Sequence, residues 1–206
     1  MAYFKLMKIG ISINEVLRDF IGQFIYTYNK YVEPTEIKES DITSLNLLEF
    51  FKFNDTSELN KFMYLEAPLE IFGHADQMSD NIINHFNNFV SEILDEEEHE
   101  VELVSKEADK SIPSTFFFLS KTGCKINKIR FVRKSVDEWD GVDILVTANP
   151  EALLKKPTGK ISVKVKSFYN QNIPADYEID SILDIIRDEN LRNKILNTKI
   201  TTFEEI

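Results

Sequence analysis

Lys8-Ile9-Gly10-Ile11-Ser12-Ile13-Asn14-Glu15-Val16-Leu17-Arg18-Asp19-Phe20 is the stretch that decides the fold. Its first half alternates Ile9, Ile11 and Ile13 with small or polar residues, the period-two signature of a strand. From Val16 the period changes, and Val16, Leu17, Phe20, Ile21, Phe24, Ile25 and Tyr28 recur at helical spacing. A strand that runs at once into a helix points to an α/β layer architecture. Open parallel sheets place their reactive groups at the carboxyl ends of such strands.

The pattern further along extends this expectation. Asp76 to Leu94 carries Met78, Ile82, Ile83, Phe86, Phe89, Val90, Ile93 and Leu94 in one apolar stripe, which predicts a long amphipathic helix. Val101 to Val104 predicts a short strand, and Pro113 and Gly123 bracket a helix in the expected order. Ile129 to Val132, Val142 to Val146 and Lys160 to Ser167 read as strands, and Tyr177 to Leu196 as a helix followed by a polar tail. This order implies a mostly parallel sheet with helices on its faces. Tyr31 to Phe72 is irregular and rich in aromatic residues around Pro34 and Pro68, and reads as an inserted helical subdomain. The expected division is an α/β core over residues 1–30 and 90–172, an inserted cap over 31–89, and a C-terminal helix and tail over 173–206.

Composition narrows the function. The 206 residues, 43% hydrophobic and with only 6 Gly and 6 Pro, exclude collagen-like, low-complexity and wholly disordered readings. Lys and Arg number 24 against 35 Asp and Glu, a net charge of -11. So acidic a chain is a poor partner for nucleic acid or for anionic lipid. No stretch approaches the ~18 to 20 apolar residues of a membrane helix, and Lys5 and Lys8 interrupt the first apolar run, so the chain reads as intracellular and not secreted. A lone cysteine, Cys124, forms no internal disulfide and excludes a Cys-rich zinc site.

The run from Ile11 to Phe20 resembles the first motif of the haloacid dehalogenase (HAD) superfamily of phosphatases, in particular its deoxyribonucleotidase branch. There the strand ends Asp-x-Asp-Glu-Val-Leu-Ala-Asp-Phe; here Ser12 and Asn14 stand at the two aspartates and Arg18 at the alanine. Val101 to Ser105 resembles the second motif, with Ser105 as the phosphate-holding hydroxyl. The helix from Pro113, the strand Ile129 to Val132 and Lys134 resemble the third, whose lysine balances phosphate charge. Val142 to Pro150 resembles the fourth, with Thr147-Ala148 where the family has an Asp-Asp pair. The resemblance spans roughly residues 7 to 172 and implies a Rossmann-like HAD-type core with a small helical cap.

What it implies about chemistry is a loss. The phosphoaspartate route needs a carboxylate nucleophile, and serine without a base beside it is a feeble one. It needs an acid to protonate the leaving oxygen, which the Asn14 amide does not supply. It needs magnesium on hard, charged oxygen ligands. Asp143 lies four residues before Thr147 on the same strand, ~13 Å away at ~3.3 Å per residue, too far to replace them. The reading is a degenerate phosphatase fold with no catalytic residue, no metal and no cofactor. Its vestigial pocket comprises Ser12, Asn14, Ser105, Lys134, Thr147 and Ala148.

Other constellations read as structural. His74, His85 and His99 are too far apart and too unlike in context for a metal cluster, and His85 falls near the apolar stripe of its helix. The acidic run Asp95 to Glu100 lacks the alternating ligands and Gly of an EF-hand loop. There is no Gly-x-Ser-x-Gly elbow and no Gly-rich phosphate loop. Lys155, Lys156 and Lys160 form a small basic turn around Pro157 and Gly159. Sixteen Phe exceed the evident needs of one sheet core, which suggests either a packed cap or an aromatic partner surface. The tail from Asn197 to Ile206 reads as frayed or as a segment that docks on a neighbour.

In general character the sequence is also similar to the degenerate dehalogenase-like proteins of tailed phages with AT-rich genomes, the crAss-like phages among them. That similarity implies a non-catalytic virion component, a neck or tail ring or connector assembled in the host cytoplasm. Its partners would be other virion subunits and further copies of itself in a homo-oligomer, with no direct contact to nucleic acid or membrane. The alternatives are a deoxynucleoside monophosphatase-type hydrolase, with chemistry rewired around Ser12, and a module that senses nucleotides without hydrolysing them.

Overall fold

The protein is described by a computed structural model over residues 6–91 and 99–198. Six strands form one sheet: β1 (Lys8–Ser12), β2 (Glu100–Lys106), β3 (Ile129–Val132), β4 (Ile144–Thr147), β5 (Ile161–Val165) and β6 (Tyr177–Ile179). Their order is β3-β2-β1-β4-β5-β6. Every pairing is parallel, so the sheet is wholly rather than mostly parallel. Helices α1 (Phe20–Tyr31), α2 (Thr56–Lys61), α3 (Ile82–Phe89), α4 (Ser111–Thr122), α5 (Pro150–Leu154), α6 (Ile182–Arg187) and α7 (Glu189–Leu196) surround it.

β1 is central, covered on both faces and buried from Ile9 through Ser12, as inner strands of parallel sheets are. Its Gly10 sits in close packing: an added Cβ would lie 3.1 Å from Val142 and 3.2 Å from Leu145, so these side chains would have to give way. The chain builds β1, β2 and β3 outward, then crosses back to lay β4 on the other side of β1. This reversal makes the carboxyl ends of β1, β2 and β4 a topological switch point, where such sheets open a crevice. The register puts Ser12 beside Val104 and Ile11 beside Val146, which draws Ser12, Ser105 and Thr147 to one end of the sheet.

Between β1 and α1 the chain makes one tight turn. The amides of Leu17 and Arg18 both donate to the Ile13 carbonyl, and Glu15 takes a left-handed φ of 59°. Asp19 caps α1 by accepting from the Gly22 amide, while Glu15 Oε1 accepts from the Phe20 and Ile21 amides. Three of the helix's orphan donors are satisfied in this way. Residues between α1 and α3, with short 3-10 and π-helical turns, pack Phe51, Phe53 and Phe62 against Phe24 and Tyr28 of α1, and Phe72 against Phe20 at its start. Seven of the aromatic residues are thus consumed by packing. Phe24 and Phe72 are fully enclosed.

Two expected elements differ. The helix anticipated from Asp76 begins only at Ile82, after Asn81 in a left-handed conformation. Asp76 to Met78 run extended instead, with Asp19 donating to the Asp76 carbonyl and Met78 to the Leu17 carbonyl. The expected C-terminal helix is three elements: β6 at the sheet edge, then α6 and α7, separated by Asp188, which caps α7. The acidic residues 95–98 and the tail from residue 199 lie outside the described residues. Among the described residues no helix is long and apolar enough to cross a membrane.

Candidate functional site

Ser12 ends β1 and is buried. Its hydroxyl lies 2.8 Å from Thr147 Oγ1, at the end of β4, and 3.0 Å from Glu138 Oε2. Glu138 comes from the 3-10 turn Ser135–Trp139 between β3 and β4 and is itself buried. Its other oxygen accepts from Asn149 Nδ2 at 2.5 Å, and the Asn149 amide donates to Thr147 Oγ1 at 3.1 Å. Burial pushes the Glu138 carboxyl above its ordinary value, against the opposing hydrogen bonds from Asn149, Ser12 and Thr147. Ser12, Glu138, Thr147 and Asn149 therefore form one closed network.

A second network lies beside it. Arg18 is fully buried, and its five N–H donors are all used. Nε and Nη2 donate to Asn14 Oδ1 at 2.9 and 2.5 Å. Nη1 reaches the Phe72 carbonyl at 3.1 Å and Thr115 Oγ1 at 2.5 Å, and Nη2 reaches Glu107 Oε1 at 2.5 Å. Ser105 Oγ and Thr115 Oγ1 donate to the same Glu107 carboxylate at 2.7 Å. The guanidinium also lies over the rings of Phe72 and Phe118, 5.1 and 5.4 Å from their centroids. Burial pulls the Arg18 guanidinium below its ordinary value, and the Glu107 charge opposes this. One side chain thereby joins the β1 turn, the loop after β2, α4 and the π-helical turn Leu69–Gly73.

Of the six residues expected in the pocket, the networks bring together Ser12, Asn14, Ser105 and Thr147. Ala148 is buried beside them and offers only its carbonyl, which accepts from Asn170 Nδ2 at 2.9 Å. Lys134 is exposed at the start of the 3-10 turn and takes no part in either network. Lys106, whose Nζ reaches Ser135 at 3.2 Å, carries a charge that favours the ionised Glu138 carboxylate. Sequence reasoning missed Arg18, Glu107, Thr115, Glu138 and Asn149 as site residues. Arg18 had a signal, since it is the one departure within Glu15 to Phe20 from the resembled motif. Asp19 is a helix cap and not a site ligand.

The other expectations also find places. His85, expected near the apolar stripe and so partly buried, is instead exposed on the outer face of α3, off the buried stripe of Ile82, Ile83, Phe86 and Phe89. His99 is buried and accepts from the Met7 amide. Cys124 is partly buried, which raises its thiol. The basic turn is neutralised: Lys155 pairs with Glu151, Lys156 with Asp176 and Lys160 with Asp143.

A magnesium ion of the kind the HAD resemblance implies does not fit this donor set. The Ser12 and Thr147 hydroxyls are neutral and tied to Glu138, Asn14 Oδ1 already accepts from Arg18, and Ala148 has no donor side chain. Magnesium needs several hard oxygens in octahedral array, and Glu138 is the one carboxylate on the Ser12 network. The adjoining guanidinium adds a positive charge that opposes a second cation. Among the described residues no group of three or more His, Cys, Asp or Glu is placed to hold a metal ion.

No family model matches the sequence, and no curated protein matches it. Solved structures do. A phosphonoacetaldehyde hydrolase-like protein from Oleispira antarctica superposes with a TM-score of 0.57 at 12% identity, covering 95% of this chain and 96% of that one. A HAD-superfamily hydrolase of subfamily IA from Geobacter sulfurreducens gives a TM-score of 0.52 at 10% identity, covering 88% and 95%. A dehalogenase solved with an intermediate complex gives 0.52 at 10%, covering 87% and 95%. At such identities the likeness is one of fold: the chain has the Rossmann-like α/β fold of HAD-superfamily hydrolases.

Proposed function

We propose that this HAD-fold chain is a non-catalytic scaffold that acts through protein–protein contacts. The observation that carries the reading is Arg18, fully buried with all five donors engaged by Asn14, Phe72, Thr115 and Glu107. A substrate phosphate at the β1 and β2 ends would have to break these contacts and strand a buried carboxylate, a cost of several kcal/mol. A pocket whose polar groups satisfy one another has no donors left to stabilise a transition state. The virion ring or connector role implied by the phage resemblance belongs to this proposal, and light scattering of the purified chain tests it through the closed oligomer it requires.

One observation favours a second reading. Glu138 lies within hydrogen-bonding distance of Ser12, so the serine has a carboxylate base that its sequence context did not reveal. A hydrolase built on this pair would release phosphate from deoxynucleoside monophosphates, and both Ser12→Ala and Glu138→Gln would abolish release. The scaffold reading expects no release from the natural sequence with or without magnesium. Turnover lost in both variants would overturn it.

A further inference from the structure

Residues 110–136 hold seven Lys and Arg and no Asp or Glu, so the rest of this -11 chain carries the entire acidic excess. These residues build α4 and β3. β3 is an edge strand, paired only with β2 among the described residues. The Lys128 and Val132 carbonyls accept from β2 and the loop after it, so by the period of a strand the amides and carbonyls of Ile129, Phe131 and Arg133 face outward. Lys128 and Arg130 are spent on Glu100 and Glu102. Lys110, Lys125, Arg133 and Lys134 are exposed and, among the described residues, make no side-chain ion pair or hydrogen bond.

Beside this edge lies an aromatic stripe. Phe116 and Phe117 on α4 are 49% and 44% exposed, and Leu69 is 46% exposed. Phe116 meets Phe131 of the edge strand edge-on, with centroids 5.5 Å apart, and Phe117 meets His74 at 5.3 Å. Leu69 and Phe117 both close on Gly73, which makes the stripe continuous from the Leu69–Gly73 turn to the sheet edge.

We propose that the β3 edge and this stripe dock an acidic, extended peptide segment of a partner protein, added to the sheet as a strand beside β3. This names the partner chemistry of the scaffold reading and rests on it for one premise, that the chain works through protein contacts. An added strand takes up the outward amides and carbonyls, its acidic residues meet Arg133, Lys134, Lys110 and Lys125, and its apolar residues rest on Phe131 and Phe116. A second copy paired edge to edge is the poorer occupant, because it would set the cations following each β3 against those of its mate. Single-stranded nucleic acid would also find cations and aromatic rings here, but the field of the whole chain opposes it.

The test is fluorescence anisotropy of the whole chain with a fluorescein-labelled peptide Glu-Ile-Glu-Phe-Glu-Ile-Glu-Phe-Glu. Saturable binding that weakens with salt is expected. It should fall roughly tenfold or more in Phe116→Ser/Phe117→Ser and again in Arg133→Glu/Lys134→Glu. Methylation of alternate peptide amides should weaken it similarly. All four substituted side chains are exposed, and unchanged circular dichroism and unfolding midpoints will establish that the variants fold. Absence of saturable binding overturns the proposal, as do equal binding by the variants and preferential capture of a single-stranded oligothymidylate. Phosphate release plays no part in this readout, so a failed scaffold reading and a failed docking surface give different results.

Discussion

The Arg18 guanidinium and the Glu107 carboxylate meet at 2.5 Å with neither side chain exposed to solvent. Buried pairs of this kind gain little over a well-packed apolar replacement, yet removal of one partner leaves an uncompensated charge. Arg18→Met should therefore destabilise the protein by about 3 to 5 kcal/mol. Glu107→Gln in the same chain should recover a large part of that loss, since the amide accepts from Ser105 and Thr115 without a charge. Urea unfolding of the two single variants and the double variant closes the cycle, and additive losses would refute the coupling.

Glu15 links the site to pH. Burial raises its carboxyl from 4.5 to about 7, with Asp19 and Glu39 adding to the rise, although the Phe20 and Ile21 amides pull it down. Between these values the folded protein holds a proton that the unfolded chain releases, so Glu15's contribution to stability is fully present below pH 4.5 and is lost as pH rises to about 7. For so buried a group the decline is on the order of 3 kcal/mol. Glu15→Gln keeps an acceptor for both amides and has no proton to lose. Unfolding free energies at pH 5 and pH 8 should fall for the natural chain and stay closer together for the variant.

Gly22 inverts an ordinary expectation. Alanine in place of glycine inside a helix normally gains up to about 1 kcal/mol. Here the new Cβ would come within 2.4 Å of Asp19 Oδ2 and 2.8 Å of Glu39 Oε1. Asp19 must then leave the Gly22 amide it caps. Gly22→Ala should cost about 1 to 2 kcal/mol, the usual worth of a lost N-cap. Thermal unfolding will show it, and a stabilised variant would mean that the cap re-forms around the methyl group.

The parts of this molecule legible in its sequence are those with a period. Ile9, Ile11 and Ile13 declared β1, and Pro113 and Gly123 bracketed α4, because alternation and capping are local properties. Ser12, Ser105 and Thr147 converge because parallel register fixes where neighbouring strands end. The first turns expected of the helix from Asp76 failed where a tertiary contact intervened: Asp76 and Met78 pair with the backbone of Leu17 and Asp19. β6 is three residues long, too short for alternation to separate it from the helix that follows. Arg18, Glu107 and Glu138 come from turns, where no period says which way a side chain points. The charges that close the pocket were therefore the least legible part of it.

On the scaffold reading, a carboxylate nucleophile alone does not give this pocket phosphatase chemistry. Ser12→Asp would set a carboxylate in van der Waals range of Glu138, whose oxygen now lies 3.0 Å from the serine hydroxyl. Burial has already raised Glu138, and a second carboxylate at that distance cannot ionise freely beside it. The variant should lose about 2 to 4 kcal/mol near neutral pH and less in acid, where the pair shares a proton. Glu138→Gln in the same chain should restore most of the loss by turning repulsion into a hydrogen bond. Neither chain should release phosphate, because Arg18 still occupies Asn14, which offers no acid for the leaving oxygen, and the end of β4 still presents Thr147 and Ala148 in place of carboxylates. Chemical unfolding measures the first effect and a phosphate assay the second. Full stability of Ser12→Asp would mean that the Ser12–Glu138 contact does not hold this end of the sheet closed.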